Sequence, residues 1–167
     1  MADLQRQTRR DFTLVVSVPG RDSLPDRPIP DGSLVVHDPG FAAQRNAGLA
    51  AVPEATHVLC FDDNAVVRED CLERAVAFFD ANPEVVALAG RALLDGATAD
   101  DVQRADADGA LTASLAEPVT GEWTPSRELH GCNFAYQHWD DLLKWPDRVR
   151  HVPGRPSSGR GRLLRPS

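Results

Sequence analysis

The sequence predicts an α/β chain with a mainly parallel sheet flanked by helices. Three observations lead there. Apolar, β-branched runs alternate with helix-spaced segments, and these runs end at proline, glycine or an acidic turn. The chain has 167 residues, enough for one real core and too few for two comfortable ones.

The first strand is Phe12 to Val18 (FTLVVSV), stopped by Pro19-Gly20. Arg21 to Gly32 carries Pro25, Pro28 and Pro30 with little apolar material and reads as loop, and Ser33 to Val36 gives a short second strand. Gly40 opens a helical stretch, FAAQRNAGLAAV, with Phe41, Ala42, Leu49 and Val52 roughly on one side, and Pro53 stops it. Thr56 to Phe61 (THVLCF) reads as a central strand that runs directly into Asp62-Asp63-Asn64. The clearest helix covers about Glu69 to Asn82, where Leu72, Val76 and Phe79 fall at helical spacing. Pro83 and a strand, Val85 to Leu88, follow. Asp95 to Asp108 lacks a firm period and is expected to be a surface loop or loose helix. Arg127 to Gln137 predicts a further strand and Trp139 to Trp145 a short helix. Residues 1–150 are thus expected to form one domain, and 151–167, rich in Pro, Gly, Ser and Arg, a disordered basic tail.

Composition narrows the classes. Apolar residues make up 42% and charged residues 26%, as in an ordinary soluble protein. No apolar stretch approaches the roughly 20 residues of a membrane span, so no transmembrane segment is expected. The N-terminal MADLQRQTRRDF lacks the apolar region of a signal peptide, which predicts a cytoplasmic location. A net charge of −7 argues against a nucleic-acid partner. Beyond Pro146, however, Asp147 is the only acid against Arg148, Arg150, Arg155, Arg160, Arg162 and Arg165. Such a tail is either solvated or peripheral to the anionic inner face of a membrane. Cys60, Cys71 and Cys132 have no C-x-x-C spacing and read as buried free thiols. His130 and His138 make no ligand pattern with them.

The residues with chemical potential begin at Asp62-Asp63-Asn64. Clustered carboxylates after an apolar strand need solvent, a helix to cap, or a shared cation. One reading is a solvated turn with Asp63 or Asn64 capping the next helix. The other is a hard-cation site whose oxygen ligands hold magnesium or manganese against a diphosphate. Parallel sheets bind ligands at the carboxyl ends of their strands, where this triplet stands.

The surrounding motifs bear on that choice. Gly40-Phe41-Ala42-Ala43-Gln44-Arg45-Asn46-Ala47-Gly48 resembles the G-x-x-x-A-R-N-x-G segment of family-2 glycosyltransferases. As in that family, an apolar strand and an aspartate-rich D-x-D motif follow, here His57 to Asn64. Asn82-Pro83, the Val86 to Gly90 strand and Gly131-Cys132-Asn133-Phe134-Ala135 match its later N-P, V-x-x-x-x-G and G-x-N-x-A elements. The resemblance covers roughly Gly40 to Gln137, and the order and spacing of five weak motifs make it specific.

The resemblance implies a GT-A-like fold and inverting transfer of a sugar from a nucleotide diphosphate donor to a saccharide or lipid-linked acceptor. It implies that Arg45, Asn46, Asp62 and Asn133 bind the nucleotide sugar, and that Asp62, Asp63 and Asn64 hold Mn2+ or Mg2+. Taken singly, Arg45 also reads as a surface helix arginine, Asn46 as a satisfied helix side chain and Asn133 as a strand residue bonded to a neighbouring loop.

The chain departs from the family at three points. Asn64 replaces the last acid of D-x-D. Only about twenty proline-rich residues stand where the family has a helix and a base-recognition strand. After Gln137 no E-D motif supplies a general base, since Asp140 and Asp141 are the only nearby acids, in a segment expected to be helical. The family pattern is thus shortened in its first βα unit and toward the C-terminus, and a non-catalytic relative that binds a nucleotide sugar is the alternative. Phe61 to Asn64 also superficially resembles the nucleophile loop of haloacid-dehalogenase phosphatases. That family needs a later lysine and acidic pair, and Lys144, the only lysine, has no such pair behind it.

Overall fold

The computed structural model describes residues 2–24, 29, 32–94, 102–115, 124–125, 133–137 and 162–164. The chain divides into two units, one of Met1–Arg9, Leu59–Gln137 and Pro153–Ser167, the other of Arg10–Val58 and His138–Val152.

In the second unit the FTLVVSV run forms β1 (Leu14–Val18), and the next apolar run forms β2 (Gly32–Val36). They pair in parallel, Leu14 opposite Gly32 and Val18 opposite Val36. Beyond the ladder the His37 N–H donates to the Val18 carbonyl at 3.1 Å. A single 3-10 turn, Arg21–Ser23, lies in the connection. Helix α1 (Phe41–Ala50) follows and packs on β1.

Phe41 does not belong to the packed face of α1: it is 54% exposed. Gln44 and Gly48, one helical turn apart, face Ser17 instead. Ser17 Oγ donates to the Gln44 carbonyl and Gln44 Nε2 donates to the Ser17 carbonyl, both at 2.6 Å. The cause is the one polar residue of the LVVSV strand, which needs a hydrogen-bonding partner rather than an apolar ring.

Among the described residues a second sheet has five strands, all in the first unit except for His57 and Val58. Its strands are β3 (His57–Phe61), β4 (Ala87–Ala89), β5 (Thr124–Pro125), β6 (Asn133–Gln137) and β7 (Arg162–Leu164), ordered β3-β6-β4-β7-β5. The expectation of a mainly parallel sheet needs correction. β1–β2 and β5–β7 are parallel, but β4 runs antiparallel to both β6 and β7. The right-handed crossover rule governs strands joined by one helix; β6 arrives only after a further helix and β5, so that rule does not set its direction. Nor is β3 central. Among the described strands it stands at the edge of its sheet, and every one of its residues is half-buried. An unbroken apolar run reports packing on both faces, not a neighbour on both sides. β7 falls in the segment whose composition predicts disorder.

Helix α2 (Cys71–Ala81) buries Leu72, Ala75 and Phe79 on one stripe. Phe79, Val85 and Ala135 form the core, with Leu59, Phe78 and Leu88 packed against it. Asn82 ends the helix, its N–H donating to the Phe79 carbonyl at 3.0 Å and its side chain to the Phe78 carbonyl at 2.8 Å. Buried Gln137 then donates its side-chain amide to the Pro83 and Val85 carbonyls, tying the end of β6 to the turn after α2.

The start of α2 is served from far away in sequence. Gln7, fully buried, accepts the Leu72 N–H at 3.0 Å and donates to the Arg68 carbonyl at 2.6 Å. It follows a short N-terminal helical turn, Ala2–Gln5, whose buried Asp3 meets Arg104 at 2.6 Å. Arg104 begins helix α3 (Arg104–Leu115), a regular helix across part of the segment expected to be loose. Arg104 also pairs with Asp108 one turn on, at 3.0 Å. Among the described residues no helix is long and apolar enough to cross a membrane.

Candidate functional site

The Gly40 to Gly48 motif builds the amino-terminal half of α1. Gly40 has φ 142° and ψ 135°, a conformation that a side chain resists. It lets the chain turn sharply from β2 into the helix. Arg45 lies one turn after Phe41, and its guanidinium sits 3.5 Å from the centre of the Phe41 ring. The ring quadrupole attracts the cation and holds the side chain along the helix. That contact accounts for an aromatic ring left exposed at this position. Asn46, the next residue, is exposed.

Asp62, Asp63 and Asn64 follow the carboxyl end of β3, and all are exposed. The Asp62 carbonyl accepts the Ala65 N–H at 3.1 Å, closing a turn. The capping role open to Asp63 and Asn64 is not taken up. The next helix starts at Cys71, its cap position is Asp70, and Gln7 takes the Leu72 N–H. Asp70 itself is bound by Arg68 through two hydrogen bonds of 2.8 and 2.7 Å, which hold its carboxyl below the usual range.

Among the described residues no three His, Cys, Asp or Glu side chains form a group able to hold a metal. The triplet supplies two carboxylates and one amide. Such an oxygen donor set suits magnesium or manganese when a diphosphate completes the coordination.

Asn133 opens β6, which lies between β3 and β4 in the sheet. The antiparallel register sets Ala89 opposite Phe134, and the Gly90 N–H donates to the Asn133 carbonyl at 3.3 Å. Asn133 therefore sits at the carboxyl end of β4, while the triplet sits at that of β3. Arg45 and Asn46 stand together on α1 of the second unit, and Asp62, Asp63, Asn64 and Asn133 belong to the first.

Two supporting residues were not singled out from the sequence. Gln44 is a motif letter in a helix, and its role shows only once Ser17 is opposite it; a serine inside an apolar strand was the available signal. Gln7 lies in a segment read only for what it lacks as a leader. Cys60 and Cys71 are half-buried, and neither is in a disulfide. Burial pushes the Cys71 thiol up to about 11, so it is a poor nucleophile. Cys132, His130, His138, Asp140, Asp141 and the expected Trp139 to Trp145 helix lie outside the described residues.

The family model described as Glycosyl transferase family 2 matches residues 29–143, about two thirds of the chain. The matched range takes in Arg45, Asn46, the Asp62 to Asn64 triplet and Asn133. Comparison with curated proteins and with solved structures returns no match.

Proposed function

The chain belongs to glycosyl transferase family 2, and from that premise we propose that it binds a nucleotide diphosphate sugar and transfers the sugar, with inversion, to a saccharide or lipid-linked acceptor. The observation that carries the reading is the exposed Asp62-Asp63-Asn64 run directly after β3, with Asp70 rather than the triplet at the cap position of α2. Family membership implies a GT-A-like α/β fold around it.

In the proposed reaction the acceptor hydroxyl oxygen bonds to the anomeric carbon while the bond from that carbon to the diphosphate breaks. The hydroxyl proton passes to a base, and the diphosphate leaves with added negative charge. Asp62, Asp63 and Asn64 would hold Mn2+ or Mg2+. A bound cation offsets the charge of the departing diphosphate. Arg45, kept in place by Phe41, would face the nucleotide together with Asn46. Asn133 would hydrogen-bond the donor sugar. The location in this reading is the cytoplasm, with the arginine-rich tail either solvated or peripheral to the inner face of the membrane.

The test is a transfer assay with UDP-, GDP- and dTDP-sugars against saccharide and lipid acceptors in the presence of manganese. Transfer of one sugar, lost in Asp63→Ala, supports the reading. Binding without transfer to any acceptor would favour the non-catalytic alternative. Turnover abolished by Asp140→Asn or Asp141→Asn would assign the base.

A further inference from the structure

A glycine is needed either where the backbone conformation excludes a side chain or where space does. Among the described glycines Gly40 alone has a positive φ, so conformation does not call for glycine at position 90. Space does. A Cβ built on Gly90 would lie 2.4 Å from Asn133 Nδ2 and 3.0 Å from both Cγ and Oδ1. Gly48, by contrast, would meet its nearest neighbour at 3.7 Å, and Gly20 and Gly109 would meet nothing.

We propose that Gly90 is the positioning residue for Asn133: the empty space at position 90 is the seat of the Asn133 amide. The proposal rests on the reading of Asn133 as a donor-sugar contact. The two backbones are held in register by the Ala89–Phe134 pair and by the Gly90 N–H bond to the Asn133 carbonyl. Neither main chain can move aside without breaking that ladder. The Asn133 side chain has three staggered χ1 wells and a broad χ2. A methyl group at position 90 fills the space of the well now occupied and sends the amide to another. The obstacle is the end of a side chain rather than backbone, so the fold survives while the amide is redirected.

The test compares the parent with Gly90→Ala, Asn133→Ala and the double variant. The side-chain amide pair of Asn133, identified by its loss in Asn133→Ala, is followed in 15N-labelled protein. Binding of UDP-glucose, GDP-mannose and dTDP-glucose with manganese is measured by calorimetry. The expected result is a displaced Asn133 amide resonance in Gly90→Ala and a binding loss of about tenfold, the scale of one hydrogen bond. Asn133→Ala should lose the same factor, and the double variant no more than either. An unmoved Asn133 amide in folded Gly90→Ala overturns the proposal. If Gly90→Ala does not fold, recovery of the fold in the double variant supports the clash with Asn133, and failure of both overturns it. A displaced amide with binding unchanged in all variants upholds the positioning and removes Asn133 from the donor site.

Discussion

Ser17 and Gln44 satisfy each other twice: the Ser17 hydroxyl donates to the Gln44 carbonyl and the Gln44 side-chain amide donates to the Ser17 carbonyl, both at 2.6 Å. This pair ties α1 to β1. Gln44→Ala leaves a half-buried carbonyl without its partner and should cost roughly 1–2 kcal/mol. Ser17→Ala should cost less, because the Gln44 carbonyl is a helix carbonyl with a second lone pair to share. Urea melts of the two variants check the order; superimposable curves for parent and Gln44→Ala would show that the pair contributes nothing.

The two glycines of the same motif should respond in opposite directions. Gly40 has a φ that only glycine tolerates well, so Gly40→Ala should destabilise by about 1–3 kcal/mol. At Gly48 a Cβ meets Ser17 Cβ at an ordinary 3.7 Å. Gly48→Ala should be neutral or stabilise by up to about 1 kcal/mol through helix propensity. Thermal melts read both, and equal losses would contradict the geometry.

The helices and strands were legible where apolar spacing alone determines them. α2 lies within the expected span Glu69 to Asn82, on which Leu72, Val76 and Phe79 fall at helical spacing, and Asn82-Pro83 closes it. Illegible from sequence were lateral neighbours and long-range partners. Nothing in THVLCF distinguishes an edge strand from a central one, and nothing near Leu72 announces that Gln7, 65 residues away, accepts its N–H. The candidate site residues stand out in the sequence as members of motifs. The sequence could not say what supports them: Phe41 under Arg45, or the space at Gly90 beside Asn133.

Gln7 makes a direct case for those hidden partners. It is fully buried, accepts the Leu72 N–H and donates to the Arg68 and Asp3 carbonyls. Gln7→Ala should cost on the order of 2 kcal/mol by orphaning these groups. Gln7→Glu should cost more at neutral pH, since a carboxylate cannot donate to either carbonyl and is buried. Denaturant titration at pH 7 compares the two, and a Glu variant as stable as the parent would contradict the assigned donor role.

Alkaline pH should expose Cys71. Its folded thiol titrates at about 11, chiefly because burial disfavours the thiolate, whereas the unfolded thiol loses its proton at lower pH. The unfolded state therefore binds fewer protons in that interval, and stability falls as pH rises. The contribution is complete below about pH 9 and is lost towards pH 11, amounting to roughly 2–3 kcal/mol. Cys71→Ser should flatten the slope of urea stability against pH over this range. An unchanged slope would show that Cys71 does not titrate there.

The central claim is that the triplet after β3 receives a nucleoside diphosphate together with a divalent cation. Calorimetric titration of UDP, GDP and dTDP into the parent protein and Asp63→Ala, each with manganese and with EDTA, tests it most directly. The predicted result is that one diphosphate binds the parent at least about tenfold more tightly with manganese, and that Asp63→Ala abolishes the difference. Equal binding with and without the metal in the parent, or a metal effect untouched by Asp63→Ala, would contradict it.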